Sequence, residues 1–125
     1  MGAPTLIVNS KGPLIGVVGP CKSGKSTLVR GLIENGYRAQ QIAQEHSFAP
    51  RMWQQITPPD ILIYLHSDYE RTVERGLNWT HREYDEQQPR LAHARKNADL
   101  ELATDVESPE EILAKSIEFL KSNSG

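Results

Sequence analysis

The chain has 125 residues, which is enough for one domain with a single core over residues 1–125 but small for an enzyme that also encloses a second substrate. Hydrophobic residues make up 38% and charged residues 24%, with a formal net charge of -2, so the composition is that of a globular protein and does not favour nucleic acid. The apolar runs are too short for a bilayer, a signal-peptide pattern is missing, and the single cysteine excludes an internal disulfide, so we expect a cytoplasmic protein without a membrane partner.

The first half of the chain predicts a strand, a helix and two further strands. Leu14 to Val18 form a nearly continuous apolar run, which is typical of a central strand buried on both faces. Residues 25–35 carry apolar side chains at helical spacing and stop before Gly36, where glycine can end a helix. Residues 37–45 are more polar and predict a second strand, and residues 61–65, after a Pro-Pro-Asp turn, predict a third.

The second half predicts helices around one last strand. Residues 68–78 have a helical apolar pattern, whereas residues 81–89 are polar and predict a mobile loop. Residues 90–97 predict a helix, residues 98–102 a strand, and the Ser-Pro-Glu-Glu sequence at 108–111 the start of a final helix. This order predicts an α/β fold, a three-layer αβα sandwich around a short, mainly parallel sheet.

A glycine-rich motif lies between the first predicted strand and helix. It satisfies G-x-x-x-x-G-K-[ST] at every fixed position. Two glycines permit unusual dihedrals, so that successive N–H groups can surround an anion at a helix N-terminus. The motif therefore predicts a loop that binds the phosphates of a nucleoside triphosphate, and the binding residues are Gly19, Pro20, Cys21, Lys22, Ser23, Gly24, Lys25, Ser26 and Thr27.

Three side chains of this motif have expected roles. Lys25 places an ammonium against the β- and γ-phosphates, and we expect it to serve phosphate rather than core packing. Ser26 offers a hard hydroxyl oxygen to Mg2+, and Thr27 is expected to contact the α-phosphate. ATP is favoured over GTP because the sequence has no N-K-x-D motif.

The motif, together with Pro-Asp-Ile-Leu-Ile-Tyr-Leu at 59–65 and Ala-Asp-Leu-Glu-Leu at 98–102, resembles the small P-loop kinases, such as thymidylate and shikimate kinases. The resemblance covers most of the chain unevenly and implies the P-loop nucleoside triphosphate hydrolase fold. It implies that the loop after the last strand lies beside the base, with Asp105, Val106 and Glu107 against the adenine.

The resemblance also implies arginines that stabilise a transferred phosphoryl group, a role suited to the guanidinium fork. Arg82, Arg90 and Arg95 are the candidates, and Arg90 and Arg95 are preferred as catalytic residues. The alternative for each is a solvated surface charge or a helix ion pair.

The chain departs from these kinases in two places. One is the acidic residue that in these kinases follows an apolar strand beside the phosphate-loop strand, and the other is the acceptor site. The nearest candidate acid is Glu45, which would lie near Ser26 if the second strand pairs with the first, and would then hold a Mg2+ water or act as base. The alternative is an ordinary exposed glutamate. His46 and His66 follow strands at the edge where ligands bind in α/β sheets.

Two functions follow as expectations. One is a reduced ATP- and Mg2+-dependent kinase or ATPase that acts on a small-molecule phosphate acceptor. The other is a non-catalytic or slowly hydrolysing nucleotide-binding module that acts through a protein partner. Between the first helix and residue 61 the sequence has room for one strand, where these kinases place two strands and an acceptor-binding insertion, which favours the second.

Overall fold

The computed structural model describes residues 12–20, 23–47, 49, 51–55, 58–74 and 80–123. Within these ranges the chain is an α/β structure with a four-stranded, wholly parallel sheet of order β2-β1-β3-β4. The strands are β1 (Leu14–Val18), β2 (Arg38–Gln41), β3 (Ile61–His66) and β4 (Leu100–Ala103).

Helices connect the strands and cover the sheet. They are α1 (Lys25–Glu34), a 3-10 helix (Gln44–His46), α2 (Met52–Gln55), α3 (Tyr69–Glu74), α4 (His81–Lys96) and α5 (Pro109–Asn123). Within the described ranges, no helix has the length and the apolar character that crossing a bilayer requires.

The two inner strands bury side chains on both faces of the sheet, because successive residues of a strand point to opposite sides. One face of β1 and β3 packs against apolar side chains of α1 and α5. The other face packs against Trp53 of α2 and Leu91 and Ala94 of α4. Helices therefore lie on both faces, which agrees with the predicted αβα layers.

The predicted mobile loop at residues 81–89 is wrong, because these residues form the first half of α4. Thr80 and Glu83 form a capping box, which satisfies backbone groups at the start of the helix. The buried face of α4 consists of Tyr84, Gln87, Leu91 and Ala94. Its spacing is helical, but a glutamine and a phenol occupy the first two positions, so a search for apolar periodicity misses it.

The other predicted elements are present with changed bounds. The second strand ends at Gln41, and Glu45 lies on the 3-10 helix rather than on the strand. The fourth strand begins at Leu100 instead of residue 98. Of the predicted helix 68–78, the structure describes Tyr69–Glu74, and residues 75–78 lie outside the described ranges.

The topology creates a crevice at the carboxyl ends of β1 and β3. β1 and β3 are neighbours in the sheet. The connection that follows β1 leads to β2 on one side, and the connection that follows β3 leads to β4 on the other side, so the two connections separate at this edge. Val18 of β1 pairs with Tyr64 of β3 at this edge. Ligands of open α/β sheets bind at such a point of divergence, and the glycine-rich motif begins there.

Candidate functional site

The two glycines of the motif are required by the backbone and by its neighbours. Gly24 has φ +98, a left-handed conformation that side chains other than glycine rarely adopt. A Cβ at Gly19 would lie 2.4 Å from the carbonyl oxygen of Leu65 and 2.8 Å from Ser23 Oγ. Gly24 is also the N-cap of α1 and has no side chain to cap it, which leaves N–H groups of the first turn available to an anion.

We expect Gly19→Ala to disrupt this loop more severely than Gly24→Ala. The first substitution places a methyl group against strand backbone, whereas the second meets nothing within 4 Å and costs only the left-handed dihedral, about 1 to 2 kcal/mol. Urea denaturation of both variants measures the difference. Equal losses of stability would show that β3 does not hold the start of the loop.

Lys25 is buried and holds the loop together from inside. Its ammonium Nζ donates to the carbonyl oxygens of Gly19 at 2.9 Å and Pro20 at 3.1 Å, and to Glu45 Oε2 at 2.8 Å. The side chains of Lys25 and Glu45 are 7% and 4% exposed. The expectation that Lys25 serves phosphate alone is therefore incomplete, because it also neutralises a buried carboxylate.

Glu45 lies at the carboxyl edge of β1 because β2 pairs with β1 and the chain then turns into the 3-10 helix. The alternative of an exposed surface glutamate is wrong, since the residue is 3% exposed. His46 Nε2 lies 3.7 Å from Glu45 Oε2 on the solvent side. Arg90 Nη1 of α4 donates to the Glu45 carbonyl oxygen at 3.3 Å. The structure thus brings Lys25, Glu45 and Arg90 together.

A cleft of about 380 Å³, here named the loop cleft, opens beside the motif. Ser23 Oγ is buried at its wall and has no hydrogen-bond partner among the described residues, so a donor or acceptor is available there. Ser26 and Thr27 are exposed, as the side chains that meet a ligand must be. The lining comprises Ser23, Gly24, Lys25, Ser26, Thr27, Leu28, Gln41, Thr104, Glu107, Pro109 and Ile112.

The turn after β4 lies at the far side of the loop cleft. Asp105 and Val106 line a neighbouring cleft that shares Thr104, Glu107 and Pro109 with the first. Thr104 is fixed to the end of β3, since its N–H and hydroxyl donate to the His66 carbonyl oxygen at 2.8 and 3.1 Å. Val106 is 76% exposed. The turn predicted to contact a base is therefore adjacent to the motif.

Neither Arg82 nor Arg95, the other two candidate arginines, lines the loop cleft. Arg95 donates from Nε and Nη2 to the Glu101 carboxylate at 3.2 and 2.7 Å, and its guanidinium lies 5.2 Å from the ring centroid of Tyr64. Burial raises the pKa of the Tyr64 phenol to about 12. Arg82 is largely exposed and pairs with Glu86 one helical turn away. Cys21 and Lys22, both predicted to bind phosphate, lie outside the described residues.

The oxygen atoms beside the motif fit Mg2+ only in part. Ser26 lines the loop cleft with an exposed hydroxyl, the type of ligand that Mg2+ accepts alongside phosphate and water. Glu45 directs Oε2 to Lys25, so it fits a contact through water better than direct ligation. Among the described residues, no group of three or more His, Cys, Asp or Glu side chains could hold a metal ion.

Three residues for which the sequence indicates no function, Gln44, Trp53 and His93, are connected in series next to Glu45. Gln44 is fully buried, and its amide connects the 3-10 helix to Ala49 and to the backbone of Trp53. Trp53 in turn contacts His93 of α4. Gln44, Trp53 and His93 are separated along the chain and carry no motif, so only the fold makes them neighbours.

No protein-family model matches this chain, and the search of curated protein sequences found no match. The function is therefore inferred from the motif and from the geometry around it.

Proposed function

We propose that the chain is a P-loop protein that binds ATP with Mg2+ on residues 19–27, with the fold of the P-loop nucleoside triphosphate hydrolases, and that it acts as a reduced kinase-like phosphotransferase or ATPase. The observation that carries the proposal is the buried ion pair of Lys25 and Glu45 next to the glycine-rich motif. A cation and an acid that meet beside an anion-binding loop provide the two charges that phosphoryl transfer needs.

The residues of the loop have distinct parts in this proposal. N–H groups at the start of α1 bind phosphate oxygens, and Ser23 Oγ completes its hydrogen bonding with one of them. Lys25 exchanges its contacts with the carbonyl oxygens of Gly19 and Pro20 for the β- and γ-phosphates. Bound Mg2+ would supply charge neutralisation between the phosphates, with Ser26 as its protein ligand. The volume of the loop cleft lies at the lower end of the range for small-ligand pockets, roughly 300 to 1,000 Å³.

Glu45 has the chemistry of a general base in the same proposal. Once Lys25 turns to phosphate, the carboxylate can accept the proton of an attacking water or of an acceptor hydroxyl. Arg90 of α4 holds the backbone of Glu45 through its hydrogen bond to the Glu45 carbonyl oxygen. Its contact in this structure favours a role in holding the acid.

A second candidate, a nucleotide-binding module without fast turnover, is favoured by the segment between α1 and β3. Its described part contains the four-residue strand β2, the 3-10 helix and the four-residue helix α2. The 3-10 helix packs against α4, and Trp53 of α2 belongs to the core beneath that helix. This short segment packs against the sheet and α4 and contains no insertion among its described residues, so we infer that bound nucleotide would act through a partner.

Calorimetric titration with Mg-ATP and Mg-GTP, followed by an assay of phosphate release in the same sample, distinguishes the candidates. We expect saturable binding with a preference for ATP. Steady phosphate release would support the kinase or ATPase, whereas binding without release would support the module. Absence of binding to either nucleotide would contradict the proposal as a whole.

A further inference from the structure

Glu45 lies beyond the part of the chain that the sheet can hold in place. The last sheet-like hydrogen bond of this segment runs from the Ile42 N–H to the Val17 carbonyl oxygen at 2.9 Å. The chain then turns into the 3-10 helix, which is only three residues long. A buried ion pair is favourable only when its geometry is well kept, because both charges have lost their water. Other contacts must therefore fix Glu45 against Lys25.

Gln44, the neighbour of Glu45, fixes the 3-10 helix to α2. Its side chain is fully buried. Nε2 donates to the Ala49 carbonyl oxygen at 2.8 Å, and Oε1 accepts from the Trp53 N–H at 2.9 Å. One amide side chain thus satisfies two backbone groups that no regular element pairs.

Trp53 then fixes α2 to α4. Its indole Nε1 donates to His93 Nδ1 at 3.0 Å, and the two rings lie 5.7 Å apart. An indole N–H can only donate, so this contact requires an imidazole whose Nδ1 carries no proton. The ring of Trp53 is 7% exposed and packs in the core between the sheet and α4.

The path closes on Glu45 itself. Arg90 lies three residues before His93 on α4, on the same side of the helix, and Nη1 donates to the Glu45 carbonyl oxygen. At its start, α4 is held to the end of β3, because the Tyr84 hydroxyl donates to the Ser67 carbonyl oxygen at 2.6 Å. The acid is therefore held from both sides, by Gln44 through α2 and by Arg90 directly.

We propose that Gln44, Trp53 and His93 are positioning residues that hold Glu45 against Lys25 through this closed path of hydrogen bonds and intervening backbone, which we name the acid clamp. The functional importance of the clamp rests on the proposed function, but its existence does not. Breaking the clamp weakens the coupling between Lys25 and Glu45 even without nucleotide. A core residue of merely structural importance would lower stability and leave the coupling unchanged.

A double-mutant cycle in the absence of nucleotide tests the clamp. Lys25→Met, Glu45→Gln and their combination are compared by urea denaturation in three backgrounds: wild type, Trp53→Phe and Ile15→Val. Trp53→Phe keeps an aromatic ring and removes the indole N–H. Ile15→Val is the matched control, since Ile15 is fully buried in the core on the opposite face of the sheet.

In the wild type and in Ile15→Val, we expect the pair to be coupled by about tenfold or more in the unfolding equilibrium constant. In Trp53→Phe the coupling should fall below about threefold. Full coupling in Trp53→Phe would overturn the clamp, and so would an equal loss in Ile15→Val.

NMR contacts provide the second measurement if a variant of Lys25 does not fold. Contacts between the side-chain protons of Lys25 and Glu45 should be present in the wild type and lost in Trp53→Phe. His93→Leu should lose them and His93→Gln should retain them, because glutamine still offers an acceptor to the indole. Unchanged contacts in both His93→Leu and Trp53→Phe would refute the clamp. Neither measurement uses nucleotide. If the clamp variants behave as expected but Mg-ATP does not bind, only the proposed function is contradicted.

Discussion

Lys25→Ala is expected to abolish the thermal stabilisation that Mg-ATP gives to the protein and to weaken the nucleotide-free protein as well. The first effect follows from the proposed function, because alanine removes the ammonium that would face the β- and γ-phosphates. The second follows from the structure, because alanine leaves the Glu45 carboxylate buried without its cation. Removing one partner of a buried pair costs about 3 to 5 kcal/mol. Wild-type protein at 100 times the dissociation constant should gain about 2.7 kcal/mol from nucleotide.

The two effects are separated by the double variant Lys25→Met with Glu45→Gln. Methionine and glutamine have similar volumes to the residues they replace and carry no charge, so the nucleotide-free stability should recover in large part. Binding of Mg-ATP should remain absent. Denaturation with and without Mg-ATP measures both quantities. Nucleotide-dependent stabilisation that survives in Lys25→Ala would remove the lysine from the binding site.

Glu45→Gln is expected to reduce phosphate release far more than nucleotide binding. An amide cannot accept the proton of an attacking hydroxyl, and loss of a general base typically costs 10² to 10⁴-fold in rate. The affinity for Mg-ATP should change only a few-fold, because the backbone donors of the loop and Lys25 remain. Single-turnover phosphate release and calorimetry on the same preparation give the two numbers.

Glu101→Gln is the matched control for this substitution. Glu101 also pairs with a cation, Arg95, but it lies on β4 and is not part of the loop cleft. Its rate of phosphate release should equal that of the wild type. A rate for Glu45→Gln equal to that for Glu101→Gln would exclude Glu45 from the chemistry. If the wild-type protein binds nucleotide but releases no phosphate, the result would instead favour the module, in which Glu45 balances the charge of Lys25.

In the proposed function, the Lys25–Glu45 pair would link nucleotide binding to the opposite face of the sheet. When phosphate draws Lys25 away, Glu45 loses its strongest partner while its backbone remains held by Arg90. A shift of Glu45 would then be transmitted to α2 and α4 through the hydrogen bonds of Gln44, Trp53 and Arg90. The Glu45 carboxylate could therefore act as a general base in an enzyme, or transmit the presence of nucleotide in a binding module. The assay of phosphate release distinguishes these two roles.

The sequence by itself determined the elements with a strong local signal. Leu14 to Val18 and residues 61–65 are apolar enough to require burial on both faces, and the motif provides glycine where a Cβ has no room, at Gly19, and where φ is positive, at Gly24. The α/β class and the helices on both faces follow from that order of elements. The motif also indicated Lys25 and Ser26 as candidates for phosphate and metal, because those roles need particular side chains at fixed spacing.

Only the tertiary structure decided where the acid lies and what holds it. Glu45 is 20 residues from Lys25 along the chain, and the pair exists because β2 pairs with β1 rather than with β3. The buried face of α4 contains Gln87, whose burial follows from the packing of the helix and not from the hydropathy of glutamine. Gln44, Trp53 and His93 have no common spacing at all. Long-range pairing and burial of polar groups arise from packing, so no local pattern in the sequence records them.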